Sequence, residues 1–148
     1  MKKIKIKARR EQLESVLMFL EEELSSIEHN TKNKIQLFIA VEELFVNIAS
    51  YAYYPSEGDV EIDIDTDNGN NIVYITFIDS GKAYNPLKRE DPDVTLSAKE
   101  RKIGGLGIYM VKKSMDDMSY VYKNGCNILK IGKKMIYAMN AGEKACKR

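Results

Sequence analysis

Three of the four residues from Gly104 to Gly107 are glycine, and the chain then changes at once to residues that favour a helix, reading GGLGIYMVKK over 104–113. Glycine inside a helix or strand costs roughly 0.5–1 kcal/mol relative to alanine, so such a run marks backbone that must come close to something. Glycines that open a helix leave N–H groups unpaired at the positive end of the helix dipole, a ready site for phosphate. Gly104, Gly105, Leu106 and Gly107 are therefore candidate phosphate-binding backbone, with a flexible hinge before a helix as the other reading. The stretch is not a Walker loop, because GxxxxGK[ST] is absent, and its glycines do not fit the dinucleotide pattern GxGxxG.

The rest of the chain supplies an α+β frame for that helix. KIKIK alternates as a short strand, and Leu13, Val16, Leu17, Leu20, Leu24 and Ile27 then recur at helical spacing. A second helix is predicted from about Lys34 to Tyr53, stopped near Pro55 and Gly58. VEIDIDT and NIVYITFI alternate around DNGN as a hairpin, and MSYVYK and CNILKI form another joined at Asn124-Gly125. Between the hairpins lie an aperiodic charged stretch up to Ile103 and a helix to about Met115, and the tail from Lys133 is left unassigned. A length of 148 residues is the usual size of one domain, so residues 1–148 are expected to form one.

Charge and cysteine content then remove several classes of function. Lysine plus arginine (23) nearly balances aspartate plus glutamate (22), so no global basic field attracts nucleic acid or an anionic membrane. Cys126 and Cys146 lie far apart without CxxC spacing or clustered histidines, which argues against a zinc site or a disulfide framework. No apolar run is long enough to span a bilayer, and the expectation is a soluble cytoplasmic protein.

Two further stretches carry chemistry. On the second helix Leu37, Val41, Leu44, Phe45 and Ile48 share one face, while Gln36, Ala40, Glu43, Asn47 and Ser50 share the opposite one, flanked by Ile39 and Val46. A helix apolar around so much of its circumference places Glu43 and Asn47 in a partly enclosed cleft, where a carboxylate and an amide one turn apart can hold hydrated Mg²⁺ or orient a nucleophile; an ordinary solvated pair is the alternative. In FIDSGKAYNP, Asp79 ends a strand and Gly81 follows. A carboxylate only accepts hydrogen bonds, so it suits the exocyclic amine of adenine and repels the carbonyl of guanine, although aspartate and glycine also end strands in plain turns.

In this order and spacing, EELFVN on a helix, DSGKAYNP after a strand and GGLGIYMVKKSMDDMSY opening another helix resemble the ATP-binding boxes shared by gyrase, heat-shock chaperone, sensor histidine kinase and mismatch-repair ATPases. With the N-terminal strand and helix and the ending NGCNILKIGKK, the chain looks most like the anti-sigma-factor serine/threonine kinases. The resemblance implies the histidine kinase-like ATPase fold, a two-layer sandwich with helices on one face of a mixed, mostly antiparallel sheet. It implies ATP and Mg²⁺ as cofactors, with Asn47 coordinating the metal, Asp79 bonding adenine, Gly81 beside the ring, Gly105 and Gly107 cradling phosphate, and Glu43 orienting or deprotonating the attacking hydroxyl. Residues 82–103 would be the lid, from which Arg101 or Lys102 reaches the outer phosphate.

The same resemblance implies a homodimer that sequesters a sigma factor or similar transcription regulator and phosphorylates a small anti-sigma-factor antagonist on serine. Ala83 and Tyr84 stand where the family commonly has proline and phenylalanine, and Tyr51 where it has a histidine four residues past the asparagine, which puts substrate choice rather than nucleotide binding in question. His29, the only histidine, has no phosphoacceptor sequence around it and reads as a surface or capping residue. The alternatives are an ATP-dependent binding switch without phosphotransfer and a detached histidine-kinase catalytic domain. Glu43 favours the kinase over the switch.

Overall fold

A computed structural model of the protein describes residues 1–91 and 106–136. The strands are β1 (Lys2–Lys7), β2 (Asp59–Asp67), β3 (Ile72–Asp79), β4 (Asp117–Lys123) and β5 (Cys126–Lys134), in the sheet order β1-β2-β3-β5-β4. All four pairings are antiparallel, so the described sheet has no parallel component, narrower than the mixed sheet expected. Short connections account for two of the four, since β2 and β3, and β4 and β5, are consecutive hairpins. At the second hairpin Asn124 and Gly125 take φ of 54° and 75°, the paired positive values that a two-residue turn requires.

Strand period decides which face is buried. Val60, Ile62 and Ile64 of β2, Val73, Ile75 and Phe77 of β3, and Leu129 and Ile131 of β5 alternate into one core with helix residues. The helices are α1 (Leu13–Leu24), α2 (Thr31–Tyr51) and α3 (Leu106–Ser114). Val16, Leu20 and Leu24 from α1, Leu37, Val41, Leu44 and Phe45 from α2, and Ile108 and Val111 from α3 fill the layer above the sheet. This is the α+β two-layer arrangement with helices on one sheet face.

Two helix ends fix where the site lies. α2 starts one turn earlier than its apolar period suggested, because the Asn30 side chain caps it, accepting from the Asn33 N–H at 2.8 Å. Asn33 is itself buried and donates to the Lys134 carbonyl at 2.9 Å, tying the start of α2 to the end of β5. β5 thus runs to Lys134, into the segment left unassigned from sequence. The buried Lys133 ammonium meets the Ser114 carbonyl at 2.5 Å, a cation placed at the negative end of α3.

Candidate functional site

The last residue of β3 is held from two directions. Asp79 is buried, and its Oδ1 accepts from the Gly81 N–H and from Asn127 Nδ2, both at 2.9 Å. Asn127 stands opposite Asp79 in the β3–β5 register, so the contact follows from strand pairing. Both bonds engage one oxygen, which leaves Oδ2 as the acceptor for a ligand donor.

The loop after Asp79 is fastened to the end of α2. The Ser80 N–H donates to the Tyr53 hydroxyl at 2.8 Å, that hydroxyl donates to the Asp59 carbonyl at 2.6 Å, and the Lys82 N–H donates to the Ala52 carbonyl at 2.9 Å. A side chain on Gly81 would collide with the Ala52 carbonyl. Glycine at 81 is thus accounted for by backbone packing against α2, and Gly81 lies beside the cleft that its neighbours Asp79 and Lys82 line.

That cleft has a volume of about 340 Å³, within the range of small-molecule sites. Asp79 and Asn127 supply its polar end, Leu44, Ile48 and Leu129 its apolar floor, and Tyr51, Tyr54, Tyr84 and Tyr120 its aromatic walls. A carboxylate acceptor at the end of a mostly apolar slot can bind a flat heterocycle carrying an amine.

A second cleft of about 600 Å³ opens beside it and shares Asn47, Tyr51 and Tyr84 with the first. Its wall carries Glu43, Ser50, Arg10, Arg89, Leu106 and Gly107. Glu43, Asn47 and Ser50 come from the one stripe of α2 that the helical period set opposite the core. Ala40, one turn before Glu43 on that stripe, is buried, while Ile39 at its flank is exposed. A side chain on Gly107 would fall into the Glu43 carboxylate, so α3 begins directly against that group. The positive end of the α3 dipole faces a cleft with two arginines, an arrangement suited to an anion.

Among the described residues no three His, Cys, Asp or Glu side chains gather as a metal centre. A divalent ion would therefore take its ligands from Asn47, water and a bound molecule's own oxygens, which is how Mg²⁺ is commonly held. The residues present fit such an ion.

The structure brings Glu43, Asn47, Asp79, Leu106 and Gly107 together along two adjoining clefts, with Gly81 packed behind them. Gly104, Gly105, Arg101 and Lys102 lie outside the described residues, as does the lid expectation beyond residue 91. Its described beginning builds walls: Lys82, Ala83, Tyr84 and Pro86 line the first cleft and Arg89 the second, and Asp91 pairs with Lys112 of α3 at 2.5 Å. His29 Nδ1 lies 2.9 Å from the Ile27 carbonyl, away from both clefts.

Three residues escaped the sequence reading. Asn127 is the hub of the first cleft, accepting from the Tyr84 N–H at 3.1 Å and from the Tyr120 hydroxyl and donating to the Lys82 carbonyl at 2.8 Å as well as to Asp79. Its signal was a polar residue at a core-facing position of CNILKI, on the face it shares with Leu129 and Ile131. Arg10 and Arg89 carried no local signal, since both sit in charged stretches.

The family model described as histidine kinase-like ATPase domain matches residues 6–133, from the end of β1 through nearly all of β5. No curated protein matches the chain.

Proposed function

The chain belongs to the histidine kinase-like ATPase domain family, which implies ATP binding, and on that premise we propose that it is a serine/threonine protein kinase acting as an anti-sigma regulatory factor. The observation that carries the nucleotide part is the pair of clefts meeting at Asn47, with Asp79 ending one and Glu43 and Gly107 walling the other. Adenine then lies in the first cleft with its amine on Asp79, and the phosphates cross Asn47 to the start of α3.

Phosphoryl transfer needs positioning and charge neutralisation more than covalent chemistry from the protein. Glu43 is exposed in the second cleft, where it orients the attacking hydroxyl of a protein substrate and takes up its proton. Asn47 would hold Mg²⁺, which supplies neutralising charge to the phosphates when bound. The N–H groups at the start of α3 face the same phosphates.

The substrate in this reading is a serine on a small anti-sigma-factor antagonist, and the sequestered partner is a sigma factor or similar regulator held by a homodimer. Phosphorylation adds about −1.5 to −2 charges beside the nucleotide phosphates and Glu43, so repulsion releases the product. Incubation with labelled ATP and native lysate, followed by acid treatment of the labelled product, tests the reading. Phosphoserine survives acid; an acid-labile label instead supports the histidine-kinase catalytic class, and no label at all supports the binding switch.

A further inference from the structure

Two adjacent arginines leave the end of β1 in different directions. Ala8 is buried and its N–H donates to the Gly58 carbonyl at 2.9 Å, which fixes the strand end. Arg9 pairs there with Glu57 at 2.5 Å. Arg10 opens the 3₁₀ turn Arg10–Gln12 and turns the other way, donating to Ser50 Oγ from Nε at 3.2 Å and from Nη2 at 2.9 Å.

A guanidinium carries five N–H donors in a planar fork matched to phosphate oxygens, and a hydroxyl offers it no charge. Neighbouring cations have carboxylate partners: Lys7 with Asp59, Arg9 with Glu57 and Lys112 with Asp91. Arg10 has no ion pair among the described residues, and it lines the second cleft with Glu43, Asn47 and Gly107. Ser50 lies three residues from Asn47 on the same stripe, about 4.5 Å of helix rise away, so the tether holds the guanidinium close to where the two clefts join.

We propose that Arg10 is a phosphate ligand of this cleft, held ready by Ser50 and engaging phosphate oxygens of a nucleoside polyphosphate with its remaining donors. The proposal rests on the nucleotide reading above. An acidic group of a docked protein would satisfy the same cation, but Arg10 shares its cleft with Asn47 and the start of α3, which favours the nucleotide phosphates.

Calorimetry with adenosine, ADP and ATP in the presence of Mg²⁺ tests it on the full chain. Arg10→Gln should leave adenosine affinity unchanged and weaken ADP, ATP or both by about tenfold to a hundredfold, the loss of charge-assisted bonds. Arg10→Lys should recover part of that loss, and Ser50→Ala, which keeps the charge and removes the tether, should show the same selective weakening to a smaller degree. Arg9→Gln should match wild type. Arg10→Gln that melts like wild type and binds all three ligands equally well overturns the proposal, including the case where it loses only a protein partner. Should Arg10→Gln fail to fold, Ser50→Ala decides alone, and wild-type affinity for ADP and ATP in that variant overturns the proposal. Wild type that binds adenosine but gains nothing from its phosphates overturns the proposal alone, and wild type that binds none of the three overturns the nucleotide reading with it.

Discussion

The carboxylate of Glu43 on α2 occupies the space into which a side chain at Gly107 on α3 would grow. The contact puts an anion at the positive end of α3 and holds it inside the second cleft, where the proposed acceptor hydroxyl meets phosphate. Gly107→Ala should displace Glu43 without unfolding the protein. The carboxylate is the far end of an exposed side chain, and alanine favours a helix by up to about 1 kcal/mol over glycine. Urea denaturation should therefore register a change below about 1 kcal/mol, while phosphotransfer falls towards the Glu43→Ala level, about 10²–10⁴ below wild type. Full activity in Gly107→Ala would make the contact incidental.

The proposed mechanism separates binding from chemistry along α2. Glu43→Ala should keep ATP affinity and lose phosphotransfer, whereas Asn47→Ala should also lose the Mg²⁺-dependent part of binding. Titrating ATP with and without Mg²⁺ into both variants checks this. Phosphotransfer by Glu43→Ala at the wild-type rate would remove that carboxylate from the mechanism.

In the proposed reading, Asp79 sets base choice. Its Oδ1 is already committed to Gly81 and Asn127, so adenine's amine would bond Oδ2. Asparagine at 79 that keeps the Oδ1 contacts presents an amide donor at the other position. Asp79→Asn should lower ATP affinity by about tenfold to a hundredfold and narrow the preference over GTP. Equal binding of ATP and GTP by wild type would take Asp79 out of base recognition.

Local pattern carried most of this architecture. The alternation of NIVYITFI and the period of Leu37, Val41, Leu44 and Phe45 settle strand, helix and buried face, because they depend only on neighbours in sequence. The Glu43, Asn47 and Ser50 stripe followed from the same period. What escaped was pairing at a distance. Asn127 meets Asp79 only because β5 lies beside β3, and Arg10 meets Ser50 only because the turn after β1 packs against α2. Gly81 was read as lying beside a flat ring or in a plain turn, whereas the contact that excludes a side chain there is the Ala52 carbonyl, which tertiary packing alone brings close.

Asn127 offers a direct test of that distant pairing. It is buried, and Asn127→Ala would strip partners from Asp79, the Tyr84 N–H and the Lys82 carbonyl together. Lys82 and Tyr84 are exposed and can turn to water, whereas Asp79 is buried, and a buried group that loses its partner costs about 1–3 kcal/mol, so urea denaturation should show a loss of that order, with nucleotide affinity falling alongside. Asn127→Asp should be worse for the base site than for the fold, because it sets a second carboxylate against Asp79. Undiminished ATP affinity in Asn127→Ala would mean that Asp79 is placed by its strand alone.

Asp63 predicts how stability responds to pH. It lies on the sheet face away from the helices, between Lys3 and Thr76 in register, only 9% exposed and with Oδ1 unpartnered. Burial, reinforced by Glu61 and opposed by Lys3, pushes its carboxyl from 3.8 up to about 6. Because the folded value is the higher one, the folded chain holds this proton more tightly than the unfolded chain does. Its contribution is fully present below about pH 4 and is lost as pH rises through about 6. Asp63→Asn removes the buried charge while keeping shape, so it should stabilise the protein near pH 7.5 by about 1–3 kcal/mol and much less near pH 4. Urea midpoints of both proteins at the two pH values, at equal slope, measure the difference. A gain that does not change with pH would trace to packing, and a loss near pH 7.5 would mean that Lys3 holds the Asp63 carboxylate in a favourable ion pair.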